Sequence, residues 1–493
     1  MLILGIDIGG THTDAVLIDR EGRLVASSKC KTTPDVHQGI EEAFQQLNID
    51  AEHIREVRIG TTHAINALLE GKALSRVGVI RLTGQQEALI PVGFGFPAHL
   101  AQQIVGTHSL PGGMEFDGKA RGVPLNEQID TAVQQLITAG AEIIVISGSF
   151  SPLYPLHEEA IAARIDAVPT VSSHMMSGLG FIERENTAIL NALLKHVLKG
   201  FSLDIDAPLF VTQNEGSIMK VEEAIDAPIM TLSSGQTNSF IGAAKLMGLE
   251  DAVVVDIGGT STDVGVIDKG FPRKSMGSVD IASIPLNFPL PDVISIAIGG
   301  GTLVKESGSL VSFGPESCGS RLFEDGVSFG GIHLTLTDLA LRADFLSIPG
   351  ADPRRVTLSP ERAQELLHRA FMKIKALITK MQSSTRAAPV IIVGGGADLF
   401  RKWCQQEGYL LPEHHSVANA YGAALAEIAC TIDRTIIMGE TEMDALKAQA
   451  IDQTIQRGAR PESVRLTRVE IIPYHYLEGQ RARVIISAAG KTH

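Results

Sequence analysis

The sequence predicts an α/β protein made of two related domains, and two observations carry that prediction. Apolar runs that end in glycine or polar turns alternate with helical patterns along the chain, which is typical of buried strands flanked by helices. In addition, the stretch GIDIGGTHTD at residues 5–14 returns in the middle of the chain as VDIGGTSTDV at residues 255–264. The repeat indicates one domain that begins at residue 1 and a second that begins near residue 250.

Each copy of the repeat is predicted to form a β-hairpin. Residues 2–19 show a strand, a tight Gly-Gly turn and a returning strand, and residues 252–268 repeat this plan. In a dinucleotide-binding loop or a Walker loop, a helix would follow the glycines, and here a strand follows them. The repeat therefore predicts a different kind of phosphate site.

The later elements follow the same alternation. Buried strands are expected at 142–150 and 389–393, and helices at 39–49, 184–198 and 361–381. A helix rich in small residues is expected at 417–432 and a polar helix at 440–455, followed by two strands within 463–476 and 482–490. We expect this last part to pack back onto the body of the protein.

The bulk composition fits a globular protein with several domains. The chain has 493 residues, of which 44% are hydrophobic and 20% charged, so there is ample apolar material for cores. The formal net charge of −14 argues against a nucleic-acid-binding protein, because no basic excess is available to replace counterions. An anion site made of backbone amides needs no such excess and stays compatible with this charge.

The cysteines and the apolar segments predict a cytoplasmic protein without a membrane partner. No CxxC pair occurs among the cysteines, so we expect isolated reduced thiols; the residues are Cys30, Cys318, Cys404 and Cys430. The N-terminus has no basic segment ahead of an apolar one, and no apolar run of about eighteen residues occurs.

The repeated turns contain residues suited to binding phosphate. Consecutive glycines let backbone N–H groups approach a ligand closely, and the threonine hydroxyls beside them add donors. The glycines are Gly9, Gly10, Gly258 and Gly259, and the threonines are Thr11, Thr13, Thr260 and Thr262. We expect the threonines to divide, some contacting phosphate and others only bracing the hairpin.

Aspartates flank both turns. Asp7 and Asp256 end the first strand of each copy and are candidate organisers of Mg²⁺ and phosphate, although a carboxylate there could also cap its own turn. Asp14 and Asp263 follow on the returning strands. Asp14 is a candidate for orienting water or the acceptor, or for anchoring the turn. Two such hairpins facing each other could clamp a triphosphate with the metal between them.

Three further features complete the candidate site. Gly394, Gly395 and Gly396 follow a buried strand and could let the backbone lie flat against adenine. His12 stands where the second copy has Ser261, which favours either a role toward the substrate or a partly solvated loop histidine. A threonine-led helix start after residue 60 could line a substrate pocket or only cap the helix; its candidate residues are Thr61, Thr62, His63 and Asn66.

Together these pieces resemble the phosphate-1, phosphate-2 and adenosine motifs of the actin/hexokinase/Hsp70 ATPase superfamily, with ANAYGAALAEI at 418–428 in the place of a connecting helix. The resemblance implies a two-lobed actin-like ATPase fold of duplicated ribonuclease-H-like domains with a cleft between the lobes. We expect an N-terminal lobe at 1–185, a C-terminal lobe at 186–430 and a small C-terminal α+β extension at 431–493.

Several segments resemble the hydantoinase/oxoprolinase A-type family in the family's order. They are GTTHAINALLEG (60–71), PGGMEFDGK (111–119), ERENTAILNA (183–192), TLSSGQTNSFIGAAKLMG (231–248), SIAIGGGTLV (295–304) and FGPESCGS (313–320). The loops predicted at 234–239 and 318–331 depart from the family pattern, which leaves the substrate open.

This family resemblance implies an ATP- and Mg²⁺-dependent hydrolase that opens a cyclic amide of the hydantoin, 5-oxoproline or lactam type. The γ-phosphoryl group would move to the carbonyl oxygen, and a B-type partner subunit usually takes part. The alternatives are a carboxylase subunit, a small-molecule kinase of the same fold and a non-catalytic ATP-gated regulator. The sequence leaves open whether the chain forms a homo-oligomer.

Overall fold

The computed structural model describes residues 1–32, 36–84, 89–176, 178–198, 205–275, 279–281, 283–288, 290–307, 310–382, 388–474 and 480–492. The strands are β1 Leu2–Ile8, β2 His12–Ile18, β3 Leu24–Lys31, β4 Ile54–Thr61, β5 Val77–Leu82, β6 Ile104–Leu110, β7 Ile143–Gly148, β8 Thr170–Ser172, β9 Leu209–Thr212, β10 Ile218–Lys220, β11 Ala252–Ile257, β12 Thr262–Asp268, β13 Phe271–Pro272, β14 Val279–Ile281, β15 Ile284–Leu286, β16 Val293–Ile296, β17 Thr302–Ser307, β18 Leu310–Ser317, β19 Val390–Val393, β20 Ile428–Ile437, β21 Arg465–Pro473 and β22 Arg481–Gly490. The helices are α1 Val36–Gln46, α2 His63–Glu70, α3 Ala98–Ala101, α4 Asn126–Thr138, α5 Leu156–Ala162, α6 Phe181–Leu194, α7 Val221–Asp226, α8 Ser234–Met247, α9 Leu322–Asp325, α10 Leu336–Arg342, α11 Pro360–Met381, α12 Arg401–Gln406, α13 Ala418–Leu425 and α14 Glu440–Gln456.

Three larger sheets organise these elements. The first has nine strands in the order β21-β22-β20-β10-β9-β4-β1-β2-β3, and the second has the order β13-β12-β11-β19 with β16 also paired to β12. The third is a parallel four-stranded sheet in the order β6-β5-β7-β8. The first and second sheets each contain one copy of the repeated hairpin, β1–β2 and β11–β12, as the sequence predicts.

Strands from the later part of the chain extend the first sheet. β9 and β10 pair next to β4, and β20 and β22 continue the sheet toward the edge strand β21. The division at residues 186 and 431 stays a prediction, and the strands change sheets at other positions. The expected packing of the last strands onto the body is confirmed by this pairing; residues 475–476 of the strand expected at 463–476 lie outside the described residues.

Helices α8 and α13 fill the space between the first and second sheets. α13 packs on β1 and β2 through Ala420 and Ala424, and α8 packs on the second sheet through Phe240. The two helices cross in backbone contact, because a Cβ added to Gly422 would lie 1.9 Å from the Asn238 carbonyl oxygen and one on Gly242 would lie 1.8 Å from that of Ala418. This crossing joins the two lobes directly below the hairpins.

Two element predictions are corrected by the structure. The helix expected at 417–432 ends at Leu425, and residues 428–437 form β20, because they complete a ladder with β22. The loop expected at 234–239 is the first turn and a half of α8, in which Ser234, Thr237, Asn238 and Ser239 are buried. Both regions therefore belong to the rigid framework of the site.

Within the described ranges, no helix is long and apolar enough to cross a membrane.

Candidate functional site

The two hairpins have matching geometry. In the first, Gly9 N–H donates to the His12 carbonyl at 3.1 Å, and in the second, Gly258 N–H donates to the Ser261 carbonyl at 2.9 Å. Asp7 lies directly opposite Asp14 across β1 and β2, and the equivalent aspartates of β11 and β12 are paired in the same way. Each hairpin thus carries a glycine turn at its tip and a carboxylate pair one register position below that turn.

The tips of the hairpins meet across the boundary between the lobes. A Cβ added to Gly259 would lie only 2.8 Å from the Thr11 hydroxyl oxygen. A larger residue at position 259 would have to displace the Thr11 side chain, so glycine favours this close approach. The two turns therefore face one another, as a clamp formed by both hairpins requires.

The first carboxylate pair is buried. Asp7 is 3% exposed, its Oδ2 accepts a hydrogen bond from Asn419 Nδ2 at 2.7 Å, and its Oδ1 has no partner among the described residues. Burial, followed by the negative charges of Asp14 and Asp256, raises the pKa of Asp7 from 3.8 to about 8. Burying a carboxylate oxygen without a partner costs free energy, so we expect a cation or a hydrogen-bond donor to bind Asp7 Oδ1.

Lys29 of β3 supplies the cation beside this pair. Its Nζ lies 2.7 Å from Asp14 Oδ1 and 3.2 Å from the Ser416 carbonyl oxygen. Burial raises the pKa of Asp14, although the neighbouring ammonium group opposes that shift. Asp14 is thus held by an ion pair and not only by its own turn.

The second carboxylate pair keeps some solvent exposure at the cleft. Asp256 Oδ2 accepts a hydrogen bond from the Ser239 hydroxyl at 2.6 Å, and burial raises the pKa of Asp256 to about 6. Asp263 accepts a hydrogen bond from Ser295, and burial raises its pKa as well. Ser239 lies on α8, so the helix crossing also positions this pair.

The carboxylates fit a divalent cation held through few protein ligands. No group of three or more His, Cys, Asp or Glu that could hold a metal ion occurs in the described part of the chain. Mg²⁺ commonly keeps several waters and takes one or two carboxylates together with substrate phosphates. The unpartnered Asp7 Oδ1 and the raised pKa values of Asp7 and Asp256 are consistent with such a site, because a cation would stabilise both ionised carboxylates.

The four turn threonines divide into two pairs by the hydrogen bonds of their hydroxyl groups. Thr13 is buried against the Thr32 hydroxyl, and Thr262 donates to the Ile298 carbonyl at 2.5 Å. Thr11 and Thr260 lie at the tips, and their hydroxyls make no hydrogen bond within the described ranges. These two hydroxyls are the ones available to a ligand.

Two glycine loops rest on the second hairpin. Gly396 N–H donates to the Ile257 carbonyl at 2.7 Å, and Gly394 lies so close to Asp256 that an added Cβ would approach its Oδ1 to 2.2 Å. The loop at 299–301 bonds to the same turn, with Gly300 N–H donating to the Gly258 carbonyl at 3.0 Å. The glycines of the 299–301 loop allow it to pack directly on the second hairpin. The resemblance of residues 295–304 to the family did not predict this contact.

The helix start after residue 60 lies beside the first hairpin. Thr62 donates to the Ile8 carbonyl at 3.1 Å, and Thr61 Oγ1 lies 2.9 Å from His63 Nδ1. A Cβ added to Gly235, at the start of α8, would lie 3.4 Å from the Thr62 methyl group, so α8 begins beside this helix start. Asn66 is exposed and donates to the Thr62 hydroxyl at 3.2 Å, so its amide braces the helix start.

His12 stands opposite Lys31 at the start of β2. Burial and then the charges of Lys29 and Lys31 lower the pKa of His12 to about 4. The folded protein therefore holds this imidazole neutral between pH 4 and 6.5, whereas the unfolded chain protonates it.

We expect acidification to destabilise the protein through His12. Because the folded pKa is depressed, stability is lost as pH falls below the unfolded value of 6.5, by roughly 2 kcal/mol at pH 5. The variant His12→Gln should lose less stability than the wild type when urea unfolding is compared at pH 7 and pH 5. Equal losses in both proteins would show that His12 is freely protonated in the fold.

Several site residues were not found from the sequence. Lys29, Asn419 and Ser239 come from β3, α13 and α8, far from the repeated motifs, and only the packing of those elements places them at the carboxylates. His415 is a further example, because its Nδ1 lies 3.3 Å from the Gly394 carbonyl oxygen of the glycine loop. No local pattern in the sequence distinguishes these residues.

Two family models match the chain. The model described as "Hydantoinase/oxoprolinase N-terminal region" matches residues 3–168, and the one described as "Hydantoinase/oxoprolinase" matches residues 184–349. These matches cover most of the chain and include both hairpins.

Similar proteins and structures agree with this assignment. The chain is 27% identical over 417 residues to the acetophenone carboxylase gamma subunit of Aromatoleum aromaticum, covering 74% of this chain and 56% of that protein. It is 26% identical over 389 residues to the caprolactamase subunit alpha of Pseudomonas jessenii, covering 70% and 54%. The chain thus spans about half the length of these relatives.

The ATP-dependent caprolactamase structure from Pseudomonas jessenii superposes with a TM-score of 0.75 at 19% identity, covering 100% of this chain and 88% of that chain. The nucleotide-free acetone carboxylase structure gives a TM-score of 0.73 at 19% identity, with 99% and 87% covered. These likenesses confirm the predicted two-lobed actin-like ATPase fold. Together with the family models they confirm the predicted resemblance: the chain belongs to the hydantoinase/oxoprolinase family.

Proposed function

We propose that this chain is the ATP-binding part of an enzyme that opens a cyclic amide of the lactam, hydantoin or 5-oxoproline type. The observation that supports this most directly is the close approach of two hairpins of the same geometry, each with a pair of carboxylates beside its glycine turn. Such an arrangement holds a triphosphate from both sides, and phosphoryl transfer needs mainly positioning and charge neutralisation.

The proposed reaction begins at the amide oxygen of the substrate. That oxygen attacks the γ-phosphorus of ATP, the bond to the β-bridging oxygen breaks, and ADP leaves. Water then adds to the activated carbon, and the ring C–N bond of this adduct breaks to give an acyl phosphate and a free amine. A second water hydrolyses the acyl phosphate, which releases inorganic phosphate and leaves the carboxylate. An unactivated amide resists hydrolysis, so the phosphoryl group provides the leaving group that water requires.

Each part of the site has a role in this scheme. The turn amides and the hydroxyls of Thr11 and Thr260 would hold the phosphate oxygens, and the glycine loop at 394–396 would support the nucleoside. Asp7 and Asp256 would hold Mg²⁺, which when bound offsets the phosphate charge. We place the acceptor beside the first hairpin, where Thr61, Thr62 and His63 border the helix start and His12 has no counterpart in the second hairpin.

A carboxylase subunit is the second candidate. The similarity to the acetophenone carboxylase gamma subunit supports it, because a ketone can be activated on its oxygen in the same way. In either case we propose that a B-type subunit completes the enzyme, since these relatives are named as subunits.

The test is an ADP-release assay with the purified chain, alone and with a B-type subunit, in the presence of ATP and Mg²⁺. We expect lactams, hydantoins or 5-oxoproline to stimulate the release of ADP and phosphate in equal amounts, with linear amides as inactive controls. If only a ketone together with bicarbonate stimulates the release of ADP, the carboxylase would replace the hydrolase as the proposed function. A phosphorylated product without free phosphate would indicate a kinase, and ATP binding without stimulated turnover a regulator; either outcome would overturn the proposal.

A further inference from the structure

Strand β3 of the first sheet presents two lysines toward elements of the second lobe. Lys29 and Lys31 are two residues apart, so their side chains lie on the same face of the strand. They stand opposite Asp14 and His12 of β2. Lys31 lies 3.8 Å from Glu324 and 5.3 Å from the ring centroid of Phe323, both on α9.

Lys29 occupies the more central position. Its ammonium group bonds Asp14 of the first hairpin and the Ser416 carbonyl of the segment that leads into α13. A Cβ added to Gly395 would lie 3.7 Å from its Nζ, so the same group also borders the glycine loop. One cation thus touches the first hairpin, the glycine loop and the start of the crossing helix.

The Lys29 ammonium group lies among carboxylates and has a hydrogen-bond donor that is not used within the described ranges. Its charge influences Asp7 and Asp256 as well as Asp14, so it lies within electrostatic range of both carboxylate pairs. An ammonium group has three donors, and two acceptors bind it within the described ranges. A triphosphate placed between the hairpins would add strong acceptors beside this group.

We propose that Lys29 binds the terminal phosphate of the nucleotide and so makes the protein distinguish ATP from ADP. Asp14 and the Ser416 carbonyl hold the ammonium group in place, and its remaining donor goes to an oxygen of the γ-phosphate. This inference rests on the proposed function, because it needs a nucleotide between the hairpins. It assigns the recognition of the γ-phosphate to a residue outside both repeated motifs.

The test compares the affinities for ADP and for a non-hydrolysable ATP analogue by titration calorimetry in Mg²⁺. We expect Lys29→Gln to weaken analogue binding about ten- to a hundredfold, the usual range for losing a hydrogen bond between charged groups. ADP affinity should change less than about twofold. The variant Lys29→Arg should recover most of the preference, and Lys31→Gln, on the same face of β3, should leave the ratio unchanged.

Removing Lys29 alone leaves Asp14 buried without its partner, so a second variant protects the test against misfolding. The double variant Lys29→Gln/Asp14→Asn removes both charges together and should show the same loss of preference. Equal weakening of ADP and analogue, or an unchanged ratio, would overturn the role of Lys29 while leaving the proposed function intact. Failure of the wild type to bind either nucleotide would overturn the proposed function, and this inference with it.

Discussion

Replacing Asp7 by asparagine is expected to abolish substrate-stimulated ATP turnover and, at the same time, to stabilise the ligand-free protein at pH 8. The turnover should fall by about 10²–10³-fold or more, because the variant loses the charge that we propose organises Mg²⁺ and phosphate. A residue needed only for folding would give the opposite effect on stability. The two readouts together therefore separate a functional carboxylate from a structural one.

The expected gain in stability follows from the raised pKa of Asp7. The folded protein holds a proton on Asp7 up to about pH 8, whereas the unfolded chain releases it near pH 3.8. Ionisation is therefore disfavoured by folding, and stability is lost as pH rises through that window, by about 1.4 kcal/mol for each unit of pKa difference. An asparagine can still accept the bond from Asn419 without carrying the buried charge.

Thermal unfolding at pH 5 and pH 8, with and without Mg²⁺ and ATP, measures this effect. The variant should gain stability over the wild type at pH 8 and much less at pH 5, and only the wild type should be stabilised strongly by Mg²⁺ and ATP. Asp256→Asn should also stabilise the ligand-free protein at pH 8, but by less than Asp7→Asn, since the pKa of Asp256 is raised only to about 6. The exposed Asp130→Asn is the matched control; an Asp7→Asn protein that is less stable than the wild type at pH 8 would contradict the assignment.

The hairpins could be predicted from the sequence because their cause is local. Alternation of buried residues, two adjacent glycines and a returning strand specify a tight turn without help from distant residues. The duplication then identified Asp7 and Asp256 as equivalents, and the structure places their partners Asp14 and Asp263 in the same register. That much of the site is contained in two short segments.

The remaining site residues depend on packing that no short segment encodes. In the sequence nothing distinguishes Lys29 from other lysines, and only the pairing of β3 with β2 brings it to Asp14. In the same way, Asn419 is one polar residue in a helix of small residues, and only the packing of α13 on β1 brings it to Asp7. The sequence pattern predicts a helix for residues 428–432, the first half of β20, for a similar reason. Its residues suit either structure, and its ladder with β22, distant in the chain, decides between them.

The crossing of α8 and α13 is the second place where a single change should have a large effect. Gly422→Ala would place a methyl group 1.9 Å from the Asn238 carbonyl oxygen, and that oxygen belongs to a helix backbone that cannot rotate away. In an ordinary helix interior the same substitution stabilises by about 1 kcal/mol. Here we expect it to destabilise by about 3 kcal/mol, because the helices must separate to admit the methyl group.

The loss should extend to the chemistry, because both carboxylate pairs depend on this crossing. Asn419 holds Asp7 from α13, and Ser239 holds Asp256 from α8. Separating the helices displaces the two aspartates relative to each other, and a displacement of about 1 Å can lower turnover about a hundredfold. Urea unfolding and the ADP-release assay measure the two effects, and Lys245→Ala, on the exposed side of α8, should change neither. A Gly422→Ala protein as stable as the wild type would show that the lobes are not joined by backbone contact. The conclusion that this crossing both stabilises the fold and positions the two aspartates would then be wrong.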